Sequence, residues 1–369
     1  MIYLTCQLWW QRIRYCHHDR LRLGNNERGF MSDSLKIALV GCGAIAEYHL
    51  KGLKSDVPRA KVTACVDSDI EKAKTYEELT GGRAFSSVDE ALADGDFDAV
   101  DIMLPHDLHE TIAIQCLNAG KHVLLEKPIA PTIEACERIL NVANQSDRVF
   151  MVAENSQYWP EIVKAKQLIE DGQIGEIITA RAAFIYEFDS YWFKEARPWR
   201  YEKERTGGGI TIDGGSHWIR PLRMWLGEIE EVVGTLGHPL KQMQGESLAR
   251  ALFRFDSGAI AQFDAMMIDT VFAPDPWWRI TGSKGEITIQ ASLDGSELWL
   301  WTNEHREGKK IFSSPGYTAS FGGELADFAE AVLDRKPLAA EPEFALGELR
   351  TALALYRSAE SRHWEKVWE

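Results

Sequence analysis

A glycine-rich turn between an apolar run and a helical pattern constrains the fold of this chain more than any other feature. Residues 35–40 form a short apolar run typical of a buried strand, and residues 41–46 follow at once as a G-x-G-x-x-A pattern. Gly41 permits a tight turn, Gly43 lets the backbone approach a ligand, and Ala46 lets the helix pack closely against the strand. Because the first N–H groups of a helix attract anions, the turn predicts a pyrophosphate-binding site.

A carboxylate ends the second predicted strand, which covers residues 62–67. Asp67 lies 26 residues after Gly41, near the position where an acidic residue binds the ribose 2′-hydroxyl of a dinucleotide. It would repel a 2′-phosphate, and the next two residues supply no cation, so the sequence favours NAD over NADP. The alternative is that Asp67 caps a helix predicted over residues 70–79.

Strands and helices continue to alternate along the first half of the chain. Further strands are predicted at 99–104, 121–125 and 149–153, and helices at 108–119 and 132–143. Such alternation predicts an α/β domain with a doubly wound parallel sheet. We therefore expect residues 31–153 to form a Rossmann NAD(P)-binding domain.

The strand at 121–125 ends in a carboxylate, an ammonium and a proline. Ligands of open α/β sheets bind at the carboxyl ends of the strands, so Lys127 stands at a functional position. Pro128 fixes the direction in which the chain leaves the strand. The alternative is a salt bridge at the strand end, in which Glu126 and Lys127 serve the fold alone.

After Pro160 the pattern changes to β-rich runs separated by turn signals. The predicted strands cover residues 176–186, 230–237, 248–256, 258–268, 277–282, 285–291 and 296–302, and the predicted helices cover 161–171, 216–226, 321–334 and 344–362. This order predicts an α+β domain over residues 154–369, with a large, mostly antiparallel open sheet and helices on one face. On the other face we expect aromatic side chains, in a core or a subunit interface: Phe253, Phe255, Phe263, Trp299 and Trp301.

Residues 206–218 hold five glycines around an aspartate and a histidine. Asp213 and His217 are four residues apart, so both fall on one face if a helix begins near Asp213. The glycines permit close approach of a ligand or another backbone. A functional pair and a glycine-rich turn with Asp213 as helix cap are both compatible with this pattern.

Length and composition narrow the class of protein. A length of 369 residues predicts two domains, and a net charge of −15 argues against nucleic acid or an anionic membrane as partner. No apolar run is long enough to cross a bilayer. The six cysteines form no close ligand pair, so we expect no metal site and a reduced, cytoplasmic compartment.

Residues 1–30 differ from the rest in composition, with five arginines, two acids and neither lysine nor serine. We expect them to be an extension outside the fold, ahead of an ordinary protein start at Met31. A targeting segment is the alternative, since arginine excess is typical of transit peptides, although those are usually rich in serine.

The order of these motifs resembles the Gfo/Idh/MocA oxidoreductase family, named for glucose–fructose oxidoreductase and inositol dehydrogenase. The similar stretches are the glycine turn, residues 119–128, Trp199-Arg200, residues 207–217 and Trp225-Leu226-Gly227. The resemblance implies a Rossmann domain followed by an α/β domain whose open sheet often serves oligomerisation, here as a homodimer or homotetramer. It also implies NAD(P)-linked oxidation or reduction of sugars, cyclitols or related polyols.

By this resemblance Lys127, Asp213 and His217 are the catalytic residues. Oxidation of a secondary alcohol requires removal of the hydroxyl proton, and His217 is the expected base because imidazole titrates near neutral pH. Lys127 would stabilise charge on the reacting oxygen, and Asp213 would orient Lys127 or His217. The expected cofactor contacts are Gly41, Gly43, Ala44, Ile45, Ala46, Asp67, Pro105, His109, Glu126, Lys127, Pro128, Asn155, Trp199 and Arg200. The expected substrate contacts are Tyr158, Tyr186 and Arg220.

Two residues depart from the family pattern. Arg220 stands three residues after the histidine, where an aspartate is frequent, and Gln157 stands where an arginine is common. Arg220 would bind an anionic substrate group or pair with a local carboxylate, and the second is favoured. The departures leave the redox chemistry unchanged and the substrate open.

Two rival functions remain beside an NAD(P)-dependent dehydrogenase or reductase. NAD-dependent glycoside hydrolysis, in which the hydride returns within each cycle, occurs in the same broad family. A non-catalytic dinucleotide-binding regulator would need only the features of the first domain. The joint presence of Lys127, Asp213 and His217 argues against such a regulator.

Overall fold

The computed structural model describes residues 34–188, 198–271, 273, 275–292 and 295–369. The extension expected at residues 1–30 lies outside the described residues. From Ser34 onward the chain forms one compact unit.

The first half of this unit is a six-stranded, wholly parallel sheet in the order β3-β2-β1-β4-β5-β6. Its strands are β1 (Leu35–Val40), β2 (Ala60–Val66), β3 (Arg83–Phe85), β4 (Ala99–Ile102), β5 (His122–Glu126) and β6 (Phe150–Ala153). The connecting helices are α1 (Ala44–Asp56), α2 (Ile70–Thr80), α3 (Val88–Asp94), α4 (His109–Asn118) and α5 (Ile133–Gln145). This topology confirms the predicted doubly wound parallel sheet.

The second half is built on a nine-stranded sheet in the order β14-β13-β12-β11-β7-β10-β9-β8-β15. Its strands are β7 (Ile177–Glu187), β8 (Ile229–Gly237), β9 (Leu248–Phe255), β10 (Ile260–Ile268), β11 (Trp278–Gly282), β12 (Gly285–Ser292), β13 (Gly295–Thr302), β14 (Lys309–Ser314) and β15 (Glu365–Lys366). Its helices are α6 (Pro160–Glu170), α7 (Lys203–Thr206), α8 (Ser216–Leu226), α9 (Ser320–Asp334) and α10 (Leu346–Ser361). Neighbouring strands are antiparallel except β7 and β10, so the predicted mostly antiparallel sheet is confirmed.

The expected position of the aromatic residues was wrong for three of the five. Phe253, Phe255 and Phe263 are each at most 1% exposed and pack in the core beneath the helices. Trp299 and Trp301 lie on the opposite face and are partly exposed. Successive residues of a strand point to opposite faces, and the phenylalanines occupy the positions that face the helices.

Helix α9 comes from the second half of the chain but covers the first sheet. Its Phe321, Leu325 and Phe328 share one buried cluster with Leu39 of β1 and Leu50 of α1. The domain boundary expected after residue 153 therefore stays a prediction. The two halves of the chain thus share a buried cluster.

Candidate active site

The glycine turn after β1 has the geometry that close ligand contact requires. Gly41 has a φ of +97°, and a Cβ atom there would collide with the carbonyl oxygen of Met103, so the turn requires glycine. No atom lies within 4 Å of the Cβ position of Gly43, which leaves that side of the turn open. Gly43 also contributes no capping side chain to α1. The turn therefore fits the phosphates of a dinucleotide at the positive end of a helix.

Asp67 links the end of β2 to this turn. Its Oδ2 accepts a hydrogen bond from the N–H of Cys42 and its Oδ1 accepts one from the N–H of Asp69, both at 2.9 Å. A carboxylate offers about four acceptor sites, so capacity remains for a ribose hydroxyl. The capping role considered for Asp67 belongs to Asp69, whose side chain accepts from the N–H of Glu71 at the start of α2.

A cleft of about 1280 Å³, which includes the space at its mouth, runs from the glycine turn to the second half of the chain. The ends of β1, β4, β5 and β6 contribute Gly43, Ala44, Ile45, Met103, Leu104, His106, Glu126, Lys127 and Asn155. The second half contributes Phe184, Tyr186, Trp199, Arg200, Ile210, Asp213, Gly214, His217, Trp218, Met243, Met267, Trp277 and Tyr317. The cleft thus lies outside the carboxyl ends of a parallel sheet, where ligands of such sheets bind.

Lys127 and Asp213 join the two halves across the cleft. The Lys127 Nζ donates to the backbone oxygen of Asp213 at 2.5 Å and to its Oδ1 at 3.2 Å. Arg200 donates from Nε to Asp213 Oδ2 at 3.0 Å. Asp213 lies in the turn before α8, which begins at Ser216, and does not cap that helix.

The charge of Asp213 is fixed by its neighbours. Burial raises the pKa of Asp213, but the positive charges of Lys127 and Arg200 outweigh burial and lower the pKa well below its usual range. The group is therefore a carboxylate throughout the neutral range. The stability that it contributes is present at neutral pH and is lost only in strong acid, as the carboxylate becomes protonated.

His217 has a different carboxylate partner. Its Nδ1 lies 2.5 Å from Oε1 of Glu154, the residue that follows β6. The His217 side chain is mostly buried and Glu154 is 1% exposed. The sequence left Lys127 and His217 as possible partners of Asp213. In the structure Asp213 pairs with Lys127, and His217 pairs with Glu154.

Glu126 is held on both of its carboxylate oxygens. Its Oε2 accepts from the N–H of Lys127 at 3.0 Å, and its Oε1 lies 3.0 Å from Nε2 of His49 on α1. The other ring nitrogen of His49 lies 2.9 Å from Oδ2 of Asp101 on β4. Burial lowers the pKa of His49, but Asp101 and Glu126 outweigh burial and raise it well above its usual value. The resulting ion pairs fix Glu126 beside the lysine.

Two buried histidines follow β4. Burial lowers the pKa of His106 to about 3, so this ring is neutral at neutral pH, and its Nε2 lies 4.0 Å from Asp213 Oδ1. The ring nitrogens of His109 lie 2.9 Å from the carbonyl oxygens of Leu104 and Pro128. His109 therefore ties two backbone segments together beneath the cleft, whereas His106 lines it.

Aromatic side chains form the side of the cleft away from the glycine turn; we call Phe184, Tyr186, Trp218 and Trp277 the aromatic wall. The ring centroids of Phe184 and Trp218 lie 4.3 Å apart, and those of Trp218 and Trp277 lie 5.0 Å apart. A Cβ atom at Gly214 would collide with the Phe184 ring. The glycine after Asp213 thus lets the segment that holds Asp213 and His217 lie against this wall.

Some of the predicted cofactor residues line the cleft and others do not. Those that line the cleft are Gly43, Ala44, Ile45, Glu126, Lys127, Asn155, Trp199 and Arg200, and those outside its lining are Gly41, Ala46, Asp67, Pro105, His109 and Pro128. Of the predicted substrate residues, only Tyr186 lines the cleft. Tyr158 donates to Asp327 Oδ2 at 2.6 Å. Arg220 donates to both carboxylate oxygens of Glu348, at 2.8 and 3.0 Å, and to the side chain of Gln157 at 2.7 Å.

Sequence reasoning missed several residues of this site. Glu154 and His106 follow the ends of parallel strands, so the rule that singled out Lys127 could have found them. The sequence contains no comparable signal for the aromatic wall, because large apolar side chains on strands and helices are equally typical of a buried core.

Within the described parts of the chain, no group of three or more His, Cys, Asp or Glu side chains is arranged to hold a metal ion. Across those same residues, no helix is both long and apolar enough to cross a membrane. The four cysteines that the structure describes, Cys42, Cys65, Cys116 and Cys136, are buried thiols.

A Rossmann sheet with a glycine turn beside a partly buried lysine and aspartate and a buried histidine defines a class of protein, the nicotinamide-dependent oxidoreductases. An oxidoreductase family with an NAD-binding Rossmann fold matches residues 35–154, and the GFO/IDH/MocA C-terminal domain matches residues 162–288. The chain therefore belongs to the Gfo/Idh/MocA family of oxidoreductases.

Known proteins match most of this chain. The chain is 34% identical over 322 residues to levoglucosan dehydrogenase of Pseudarthrobacter phenanthrenivorans, and the match covers 74% of this chain and 81% of that enzyme. It is 26% identical over 327 residues to 1,5-anhydro-D-fructose reductase of Ensifer adhaerens, covering 87% of this chain and 95% of the reductase. The structure of an NAD-binding oxidoreductase from Klebsiella pneumoniae is 25% identical and superposes with a TM-score of 0.78, covering 91% of this chain and 100% of that one.

Proposed function

We propose that this oxidoreductase transfers a hydride between NAD and a secondary alcohol or carbonyl group of a sugar, cyclitol or related polyol. The observation that carries the proposal is that Lys127, Asp213 and His217 line the same cleft as the glycine turn. The two relatives described above are named for levoglucosan and 1,5-anhydro-D-fructose. The aromatic wall supports a ring-shaped substrate, because aromatic faces pack well against the C–H faces of a ring.

In the oxidation direction, the hydroxyl proton of the substrate must be removed as the carbonyl forms. His217 accepts this proton at Nε2, because its Nδ1 is bonded to Glu154. Lys127 donates a hydrogen bond to the same substrate oxygen and stabilises the negative charge that develops there. Asp213 holds the Lys127 ammonium in place. The nicotinamide, when bound, takes up the hydride in oxidation or supplies it in reduction.

The glycine turn and Asp67 are the residues that would hold the adenosine half of the dinucleotide. The Asp67 carboxylate accepts hydrogen bonds only, so it can bind a ribose 2′-hydroxyl but repels a 2′-phosphate. This charge favours NAD over NADP.

Replacing Asp67 with serine should raise the affinity for NADPH relative to NADH by about tenfold or more, since removing one nearby like charge is worth roughly 1.4 kcal/mol or more. Dissociation constants for NADH and NADPH, measured by nicotinamide fluorescence, check this directly. Asp69→Ser is the matched control, because it removes the same charge two residues away while serine can still cap α2. Equal shifts in both variants would mean that net charge, and not contact with the ribose, sets the preference.

The reaction class is tested by following nicotinamide absorbance while NAD is mixed with levoglucosan, glucose or myo-inositol, and NADH with 1,5-anhydro-D-fructose. We expect a net change with at least one substrate. Hydrolysis in which the hydride returns within each cycle would release product without any net change. Binding of NADH without turnover of any polyol would contradict the proposed activity and favour a dinucleotide-binding regulator.

We also propose that two or four copies of the chain associate through the face of the nine-stranded sheet that the helices leave uncovered. Leu252 and Ile260 on this face are each 44% exposed. Sedimentation of the wild-type chain should give a dimer or tetramer, and Leu252→Asp should shift it toward the monomer. Leu79→Asp is the control, because Leu79 is 53% exposed on α2, outside this sheet. A monomeric wild-type chain would contradict the proposal.

A further inference from the structure

Glu154 is a buried carboxylate in direct contact with the proposed base. It follows β6 and therefore lies at the same edge of the first sheet as Lys127. Its Oε1 lies 2.5 Å from Nδ1 of His217 and also accepts a hydrogen bond from the N–H of Ser156 at 3.1 Å. We propose that Glu154 is the positioning residue of His217, fixing its tautomer and its orientation; this inference rests on the function proposed above.

The charge on Glu154 decides which nitrogen of His217 carries the proton. Burial raises the pKa of Glu154, but His217, Arg220 and Lys127 outweigh burial and lower it well below its usual range. Glu154 is therefore an acceptor only, and Nδ1 of His217 must be the donor. The neutral ring then has its lone pair on Nε2, the atom that receives the substrate proton.

The same contact stabilises the ring after it has taken the proton. The imidazolium formed at His217 remains paired with the carboxylate of Glu154, so the proton stays on the ring and does not pass to the glutamate. Asp213 instead accepts hydrogen bonds from Lys127 and Arg200 through its two carboxylate oxygens. Each of the two carboxylates therefore serves a separate cation: Asp213 holds the lysine and Glu154 holds the base.

The other charged and titratable groups around this pair come from four parts of the chain. Lys127 at the end of β5 and Arg220 on α8 lower the pKa of Glu154. Tyr317, whose ring centroid lies 6.4 Å from that of His217, and Glu324 on α9 both interact electrostatically with Glu154. Burial raises the pKa of Tyr317 and of Glu324 well above their usual values, which disfavours the charged form of each. Glu154 is thus the anion that faces the histidine directly.

Arg220 supports this arrangement from behind. It occupies the position three residues after His217, on the same face of α8, where the family resemblance would place an aspartate. Its guanidinium donates two hydrogen bonds to Glu348 and one to Gln157. The carboxylate that pairs with His217 is therefore Glu154, at the end of β6. Arg220 stabilises the negative charge of Glu154.

The test compares Glu154→Gln with wild type over a range of pH. Glutamine keeps the shape and can still accept from Nδ1, but it lacks the charge that stabilises the imidazolium. We expect kcat to fall about 10- to 100-fold, the range found when the hydrogen-bond partner of a metal-bound imidazole is removed. We also expect the acid limb of the kcat profile to move to lower pH by about one unit or more. The affinity for NADH should be unchanged, because Glu154 does not line the cleft.

Two further variants separate positioning from mere stability. Glu154→Asp keeps the charge and should return the acid limb toward its wild-type position. Glu161→Gln is the matched control: Glu161 is a fully buried carboxylate that accepts from Ser314 at 2.9 Å and lies outside the cleft. It should leave the limb in place even if it lowers the melting temperature.

Nitrogen NMR of histidine-labelled protein gives a readout that needs no substrate. The His217 resonances, assigned by their loss in His217→Asn, should report a proton on Nδ1 in wild type at neutral pH. A proton on Nε2 instead, or a kcat profile of Glu154→Gln with the wild-type acid limb, would overturn the positioning role. A wild-type enzyme that turns over no polyol but has the Nδ1–H tautomer would overturn the proposed function alone.

Discussion

Replacing Lys127 with methionine should lower kcat by about 10²- to 10³-fold, the loss typical of removing one donor to a developing oxyanion. The Lys127 side chain lies on the cleft at the end of β5, with its ammonium held by Asp213. Methionine fills nearly the same volume but cannot place a positive charge beside the reacting oxygen. Binding of NADH should stay within about twofold of wild type, because the glycine turn is unaltered.

Lys121→Met is the matched control for this experiment. Lys121 precedes the same strand at its opposite end, where Nζ donates to the carbonyl oxygen of Phe97 at 2.8 Å. Lys127→Arg should recover part of the rate, since it restores a charge without reproducing the geometry. The fold should survive in Lys127→Met, because Arg200 still pairs with Asp213. A Lys127→Met enzyme with the wild-type rate and unchanged NADH affinity would refute the electrostatic role.

The first sheet could be predicted from the sequence because its signals are local. Gly41 needs a φ of +97°, which only glycine adopts without strain, and the strand and helix on either side are short, distinct patterns. Lys127 could be singled out because the carboxyl ends of parallel strands meet at one edge of a sheet. Short strands carry less information: β3 has three residues, β15 has two, and β14 has few apolar residues, and none of them was predicted.

The pairing of side chains within the site could not be predicted, because it depends on contacts between distant parts of the chain. Lys127 and Asp213 are 86 residues apart, and Glu154 and His217 are 63 residues apart. The sequence left Asp213 with two possible partners, and only the position of residues 213–217 beside the ends of β5 and β6 distinguishes them. For Arg220 the favoured reading, a bond to a local carboxylate, agrees with its contact with Glu348.

Replacing His217 with asparagine should lower kcat by about 10²- to 10⁴-fold near neutral pH, the range typical of losing a general base. The asparagine amide can still donate to Glu154, so the buried carboxylate keeps a partner, but no group remains on α8 to accept the substrate proton. His106 cannot substitute, because burial lowers its pKa to about 3 and makes it a weak base. His363→Asn, at an exposed position near the C-terminus, is the control and should have the wild-type rate.

The pH profile distinguishes this loss from the loss of Lys127. In His217→Asn the acid limb that reports protonation of the base should disappear, and the residual rate should rise with pH as hydroxide takes over removal of the proton. In Lys127→Met the acid limb should remain at its wild-type position while the whole profile falls, because the base is intact. If both variants kept the same limb, the proton acceptor would have to be another group on the cleft. Because Lys127 is paired with Asp213 and His217 with Glu154, we expect these two different profiles.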